Sequence, residues 1–142
     1  MKSLKELCTS RNILSVISGS KIIDVANFMA EHNIGLVPVL DNEGKLIGVF
    51  SERDLVKRVI AKGLGLDVTV VDNVMTRDLV IANVNESYNE CLKKMKDRNI
   101  RHILIFEEEK LVGILSIRDL LEIDLKVQKE TIEVLHNYIY SK

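Results

Sequence analysis

Two short clusters carry the chain's clearest potential for chemistry, Ser51-Glu52-Arg53-Asp54 and Ser116-Ile117-Arg118-Asp119. Each sets a hydroxyl, a guanidinium and a carboxylate within one helical turn, directly after an apolar run. A Ser followed three residues later by an acidic residue suits a helix N-terminus: the hydroxyl accepts a backbone N–H and the carboxylate reaches back. Such a cap is worth ~1 kcal/mol and accounts for both Ser and both Asp. It leaves Arg53 and Arg118 unexplained, because a cation in the first turn faces the positive end of the helix dipole. An arginine there twice points to a nearby anion. Helix N–H groups with a guanidinium suit a phosphate, and a carboxylate, which only accepts hydrogen bonds, suits vicinal hydroxyls. Phosphate plus diol describes a ribonucleotide. The residues thus leave two readings open, a cap or a nucleotide site.

Other reactive side chains are weaker candidates. His102 interrupts an apolar strand, as a satisfied half-buried imidazole or as a ligand contact. His32 and His136 read as surface residues. No His, Cys or carboxylates stand at metal-ligand spacing, so no metal site is expected. Neither Ser51 nor Ser116 has a His placed to activate it. An Asp at a helix start beside Arg stays ionised, which is wrong for a general acid. No catalytic residue is therefore expected. Lys57, Arg58 and Lys62 read as a solvated helix end, and Glu107-Glu108-Glu109 as a solvated turn. Cys8 and Cys91 form no CxxC and read as reduced thiols, with Cys91 in the core.

The two clusters belong to an internal repeat. Lys45 to Leu55 aligns with Lys110 to Leu120, with seven of eleven positions identical and three more exchanging one apolar residue for another. Upstream, Met29 matches Met95, and Asn33-Ile34 matches Asn99-Ile100. The offset falls from 66 to 65 across the intervening turn, where the second copy lacks a counterpart of Gly44. Each copy reads β-α-β-β-α. The strands are Ile13 to Ile17, Leu36 to Leu40 and Leu46 to Phe50, then Leu79 to Val84, Ile103 to Phe106 and Leu111 to Leu115. The first helices carry one apolar stripe each, Ile22, Val25, Ala26 and Met29 or Tyr88, Cys91, Leu92 and Met95. A second helix starts past Ser51 or Ser116. Chain order assigns residues 1–60 to the first copy with its N-terminal segment, 61–78 to a connecting segment, 79–124 to the second copy and 125–142 to a terminal helix. The apolar connector, Ala61 to Arg77, is expected to pack across both repeats. Leu125, Ile132, Leu135 and Ile139 predict an amphipathic helix over Ile123 to Tyr140. Copies of about 60 residues bury too little surface to stand comfortably alone, so an α/β (α+β) fold of two repeats packed around a pseudo-two-fold axis is expected, and the long helix suggests a homodimer.

Composition narrows the classes. The 142 residues carry 20 Lys plus Arg against 21 Asp plus Glu, net −1, so there is no general basic coat for nucleic acid. Aromatics are 4%, which leaves the core, and any base-holding surface, to Ile, Leu, Val and Met. No apolar run reaches membrane-helix length and no signal peptide stands at the N-terminus, so a cytoplasmic protein is expected.

The repeat resembles a pair of CBS motifs, named after cystathionine β-synthase, whose tandem form is often called a Bateman module. The resemblance spans roughly Ile13 to Asp124. Gly48-Val49-Phe50-Ser51-Glu52-Arg53-Asp54 and Gly113-Ile114-Leu115-Ser116-Ile117-Arg118-Asp119 match the family's Gly-apolar-apolar-Ser/Thr-x-x-Asp signature. Ile34 to Val39 and Ile100 to Ile105 match the preceding strand, and Val74-Met75-Thr76 the run that often introduces a second motif. The pattern also looks like stand-alone bacterial or archaeal CBS pairs, with no room for a catalytic domain outside the repeats. The resemblance implies a non-catalytic regulatory module, with no required cofactor, that binds adenosine-containing ligands (AMP, ADP, ATP, S-adenosylmethionine or NAD) in clefts between the repeats and senses energy state. It implies that Asp54 with Ser51, and Asp119 with Ser116, receive ribose hydroxyls and that Arg101 and His102 touch phosphates; Arg53 and Arg118, from the dipole argument, and Ile34, Val37, Pro38, Ile81 and Ile103 complete the candidate ligand-binding set. The copies are not equivalent: Gly35 and Leu36 stand where the second has Arg101 and His102, and Leu104 replaces Pro38. Ala82-Asn83-Val84-Asn85 departs from the usual Ser-Pro. A partner protein would read the bound state. The alternative is a structural homodimerisation module whose Ser and Asp are caps. A nucleic-acid regulator is disfavoured by the net charge.

Overall fold

A computed structural model describes residues 3–9 and 12–140 of the chain. The elements are α1 (Leu4–Thr9), β1 (Val16–Ile17), α2 (Ile22–His32), β2 (Leu36–Leu40), β3 (Leu46–Ser51) and α3 (Glu52–Asp54), which continues as a π-helical stretch, Leu55–Ile60. A 3-10 turn, Val71–Asn73, precedes β4 (Ile81–Asn83), α4 (Tyr88–Arg98), β5 (His102–Glu107), β6 (Lys110–Ser116) and α5 (Ile117–Tyr140). The β-α-β-β-α order therefore occurs twice. The first strand of each copy is shorter than its apolar run, two and three residues. It pairs in parallel with the middle strand, which pairs antiparallel with the third.

The repeated residues explain the repeated shapes. Asn33 and Asn99 end α2 and α4 in the left-handed conformation, φ 54° and 51°, which Asn tolerates better than most residues. The next N–H, of Ile34 or Ile100, donates to the carbonyl of Met29 or Met95 at 3.0 Å. Both hairpins carry a bulge at matching places, Val39/Leu40 and Ile105/Phe106. The shorter second turn dispenses with glycine, and Glu108 takes the positive φ instead.

The compact units do not follow chain order. One comprises residues 14–79, the other residues 1–13 with 80–142. The N-terminal segment, grouped by chain order with the first copy, thus packs in the unit of the second, where Leu4, Leu7 and Cys8 join Cys91, Met95 and Leu115 in one core. The connector, expected to lie across both repeats, is built into the first: Val71, Val74 and Met75 share a core with Ile22, Val25 and Phe50. It also caps α2, whose N-cap Lys21 makes no side-chain bond: Thr69 and Leu66 carbonyls accept the Ile22 and Ile23 N–H groups at 2.9 Å. In α4 Ser87 does this job, accepting from the Glu90 N–H at 3.1 Å.

Both docking segments press a sulfur side chain against the signature glycine. A Cβ on Gly48 would lie 2.7 Å from Met75 Sδ, and one on Gly113 would collide with Cys8 Sγ. The helix expected to begin near Ile123 is continuous with the second helix of its copy as α5. No Gly or Pro interrupts this stretch, whereas Gly63 and Gly65 follow the matching helix of the first copy. Leu4 is 2% exposed, so Leu4→Ala should lower stability by about 2–4 kcal/mol. Hydrogen exchange should show the lost protection concentrated in residues 80–120, with residues 14–79 largely spared.

Candidate functional site

In the unit of residues 14–79, β3 turns into α3 at Ser51, whose backbone is extended. Ser51 Oγ accepts the Asp54 N–H at 3.1 Å and Asp54 Oδ2 accepts the Ser51 N–H at 3.0 Å. This closes the reciprocal cap that the spacing suggested. Thr76 Oγ1 also donates to the carboxylate, at 3.1 Å from Oδ1 and 3.2 Å from Oδ2. Arg58 Nε stands 3.5 Å from Oδ1 while its Nη1 donates to the Met75 carbonyl at 2.9 Å. Asp54 is 7% exposed. A carboxylate so buried needs these partners, and through them it ties the helix start to the docked connector. Arg58, read from sequence as part of a solvated helix end, is instead bonded at both faces of this knot. Thr76 was visible only as part of the Val-Met-Thr run.

In the other unit, the Ser116 N–H donates to Asp119 Oδ2 at 2.8 Å and the Asp119 N–H to Ser116 Oγ at 3.1 Å. Asp119 is half-buried. Arg118, whose position pointed to an anion, has one on its own helix: its Nε is 3.4 Å from Glu122 Oε1, both side chains mostly exposed. Arg53 is exposed. Across β5 and β6, His102 lies beside Ser116, and Leu104 lies beside both Ile81 and Ile114. Strand alternation puts these five on the sheet face opposite the core. Arg101 is exposed and its carbonyl accepts the Ile117 N–H at 2.7 Å, which fixes it against the start of α5. Arg101, His102, Ser116 and Asp119 thus come together where β5 begins, β6 ends and α5 starts, with Ile81 on the same sheet face.

The first copy repeats the frame with other side chains. The Gly35 carbonyl accepts the Glu52 N–H at 3.0 Å, and Leu36 and Pro38 lie beside Ser51 and Val49. Val37 and Ile103 occupy the opposite, core face of their sheets and are fully buried. Ile34 packs against the first core.

Two further carboxylates hold the frame. Burial works against ionisation of Asp72, yet hydrogen bonds from the Ser18 hydroxyl and the Gly19 N–H (2.7 Å) and the charge of Arg77 outweigh it, leaving its pKa below the ordinary carboxylate value. Glu86 follows the same pattern: burial is outweighed by Lys94 at 2.6 Å and the Asn83 N–H at 2.6 Å. Burial, aided by Glu86, pushes the Cys91 thiol up to about 11, so it stays protonated and unreactive. Among the described residues no cluster of three His, Cys, Asp or Glu is placed to hold a metal, and no helix is long and apolar enough to cross a membrane.

The CBS domain family model matches residues 4–61 and again 71–126. The chain belongs to the CBS domain family, as a tandem pair, the form of a regulatory module. A CBS domain-containing protein of Bacillus subtilis, YhcV, is 33% identical over 120 residues, covering 84% of each chain. An uncharacterized protein of Methanopyrus kandleri is 32% identical over 113 residues, 77% of this chain. The match spans only 58% of that relative's length. The solved structure of a CBS domain protein from Pyrobaculum aerophilum, complexed with AMP, aligns with TM-score 0.74 at 27% identity, over 83% of this chain and 89% of that one.

Removing the knot should be costly. Asp54→Ala is expected to destabilise by about 2–4 kcal/mol and Thr76→Val by about 1 kcal/mol. Chemical denaturation of both and of the double variant should show coupling; simple additivity would separate Thr76 from Asp54. Because the Asp72 pKa is lower folded than unfolded, its stabilisation is present above about pH 4 and is lost as pH falls through the folded value. Asp72→Asn should therefore be less stable than the native chain at pH 7, with the gap closing as both are titrated below about pH 4.

Proposed function

We propose that this CBS pair is a non-catalytic regulatory module that binds an adenosine-containing ligand, with AMP, ADP or ATP foremost and S-adenosylmethionine or NAD as related occupants. The reading is carried by the grouping of Ser116, Asp119, Arg101 and His102 at one strand edge and helix start. Asp119 supplies acceptors for ribose hydroxyls, the α5 N-terminus and Arg101 supply positive charge for phosphate, and the exposed Ile81 supplies aliphatic surface for the base. The AMP complex of the Pyrobaculum relative supports the ligand class.

The two copies divide the work. Asp54 is committed to Ser51, Thr76 and Arg58, and its copy has Gly35 and Leu36 in place of Arg101 and His102. The basic pair Arg101 and His102 favours the second copy for the phosphate-bearing ligand, with Asp119 as its ribose acceptor. Ligand binding regulates only through unequal affinity for two conformations, which a partner protein reads. The module works as a homodimer.

Calorimetry of the folded chain with AMP, ADP, ATP, NAD and S-adenosylmethionine should give saturable binding of at least one. Asp119→Ala should weaken it by about 10- to 100-fold, the worth of hydrogen bonds to a charged group. No heat and no thermal shift with any of the five would overturn the nucleotide reading.

A further inference from the structure

The first turn of α5 is anchored in the core by the fully buried Leu120, with Ile117 against it. Beyond it, every residue of α5 whose side chain is described is exposed. At 1.5 Å per residue these exposed side chains, from Leu121 to Ile139, run along about 27 Å of helix. Helices in proteins draw most of their stability from packing an apolar face, and this one is not polar all round. Leu121, Leu125, Ile132, Leu135 and Ile139 are 45–69% exposed. With Gln128 they are spaced 4-3-4-3-4, an unbroken heptad seam. Leu125, Ile132 and Ile139 take the a positions, and Leu121, Gln128 and Leu135 the d positions. Among the described exposed apolar residues of the helix, only Val134 lies off this line.

We propose that α5 pairs with α5 of a second copy as a parallel two-stranded coiled coil. This rests on the homodimer reading and names its element and direction. Three features select the same helix as occupant. A 3.5-residue repeat fits another helix wound around it, not a flat surface. Ile132 and Ile139 at a with Leu121 and Leu135 at d follow the packing preference of parallel two-stranded coils. Parallel, in-register pairing also sets Gln128 against Gln128 of the second copy, so the one polar seam residue meets its own kind instead of an Ile or Leu, and the two amides can hydrogen-bond each other. The charged residues Lys126, Glu130 and Glu133 stand off the seam and remain in water. Five apolar seam side chains per helix, burying on the order of 100 Å² each with their flanks, give about 1,000 Å² over two copies, the threshold of a specific interface.

Sedimentation velocity of the full chain should show a dimer that Ile132→Asp converts to monomer with unchanged circular dichroism apart from reduced helix. Leu125→Glu should do the same, and serves should the first variant misfold. Leu121→Cys should cross-link the two copies under mild oxidation, because parallel in-register helices face this residue with itself, whereas antiparallel ones part the two by about 27 Å. A dimer that survives both charged substitutions overturns the coiled coil while leaving a homodimer. A monomeric native chain overturns both. A dimer in which Leu121→Cys does not cross-link overturns the parallel direction. None of these readouts involves a nucleotide.

Discussion

The close approach of a sulfur side chain to a strand glycine, Met75 to Gly48 and Cys8 to Gly113, is the constraint from which most of the structure follows. A three-stranded sheet with its two helices buries only a marginal apolar surface on about 60 residues. Each sheet therefore recruits a docking segment from outside its β-α-β-β-α run. The glycine removes the Cβ that would hold that segment away. Met75, once seated, brings Val71 and Val74 into the first core, and Cys8 brings Leu4 and Leu7 into the second. The signature glycine thus answers a packing demand first. Its place beside the Ser-x-x-Asp turn means that docking and site geometry are fixed together.

That coupling is most concrete at Asp54. A buried carboxylate between Ser51, Thr76 and Arg58 is a cap and a latch at once. Its hydrogen bonds reward a docked connector and penalise an undocked one, because a charge left buried without partners is expensive. The same residue type in the same turn serves mechanical closure in one copy and, in the proposed function, recognition in the other.

Much of this was legible in the sequence because the repeat supplied two readings of each element. The paired Ser and Asp offered the caps as one of two readings, and the matched Asn33 and Asn99 turn out to end helices in the left-handed conformation. The two strands carrying His102 and Ser116 were legible, while their register, which sets these residues side by side, came from the structure. What escaped was non-local. Nothing about Leu4, Leu7 or Cys8 says which sheet they will cover, since both offer the same glycine. Arg58 is an ordinary helix-end cation until the connector folds back and presents a carbonyl. The fused α5 was hidden because two apolar patterns with different partners run into each other without a breaker.

The swapped docking also orders events in time. The connector follows its sheet within about two dozen residues, and the unit of residues 14–79 is an uninterrupted piece of chain. Its contacts are complete once that piece exists. Cys8, by contrast, precedes Gly113 by more than a hundred residues, and closing so long a loop is the slower search. The stretch around Leu4 and Leu7, made early, stays without its apolar cover until nearly everything after it has been made. An apolar patch exposed for that interval is where a chaperone, or an aggregate, would compete for this chain.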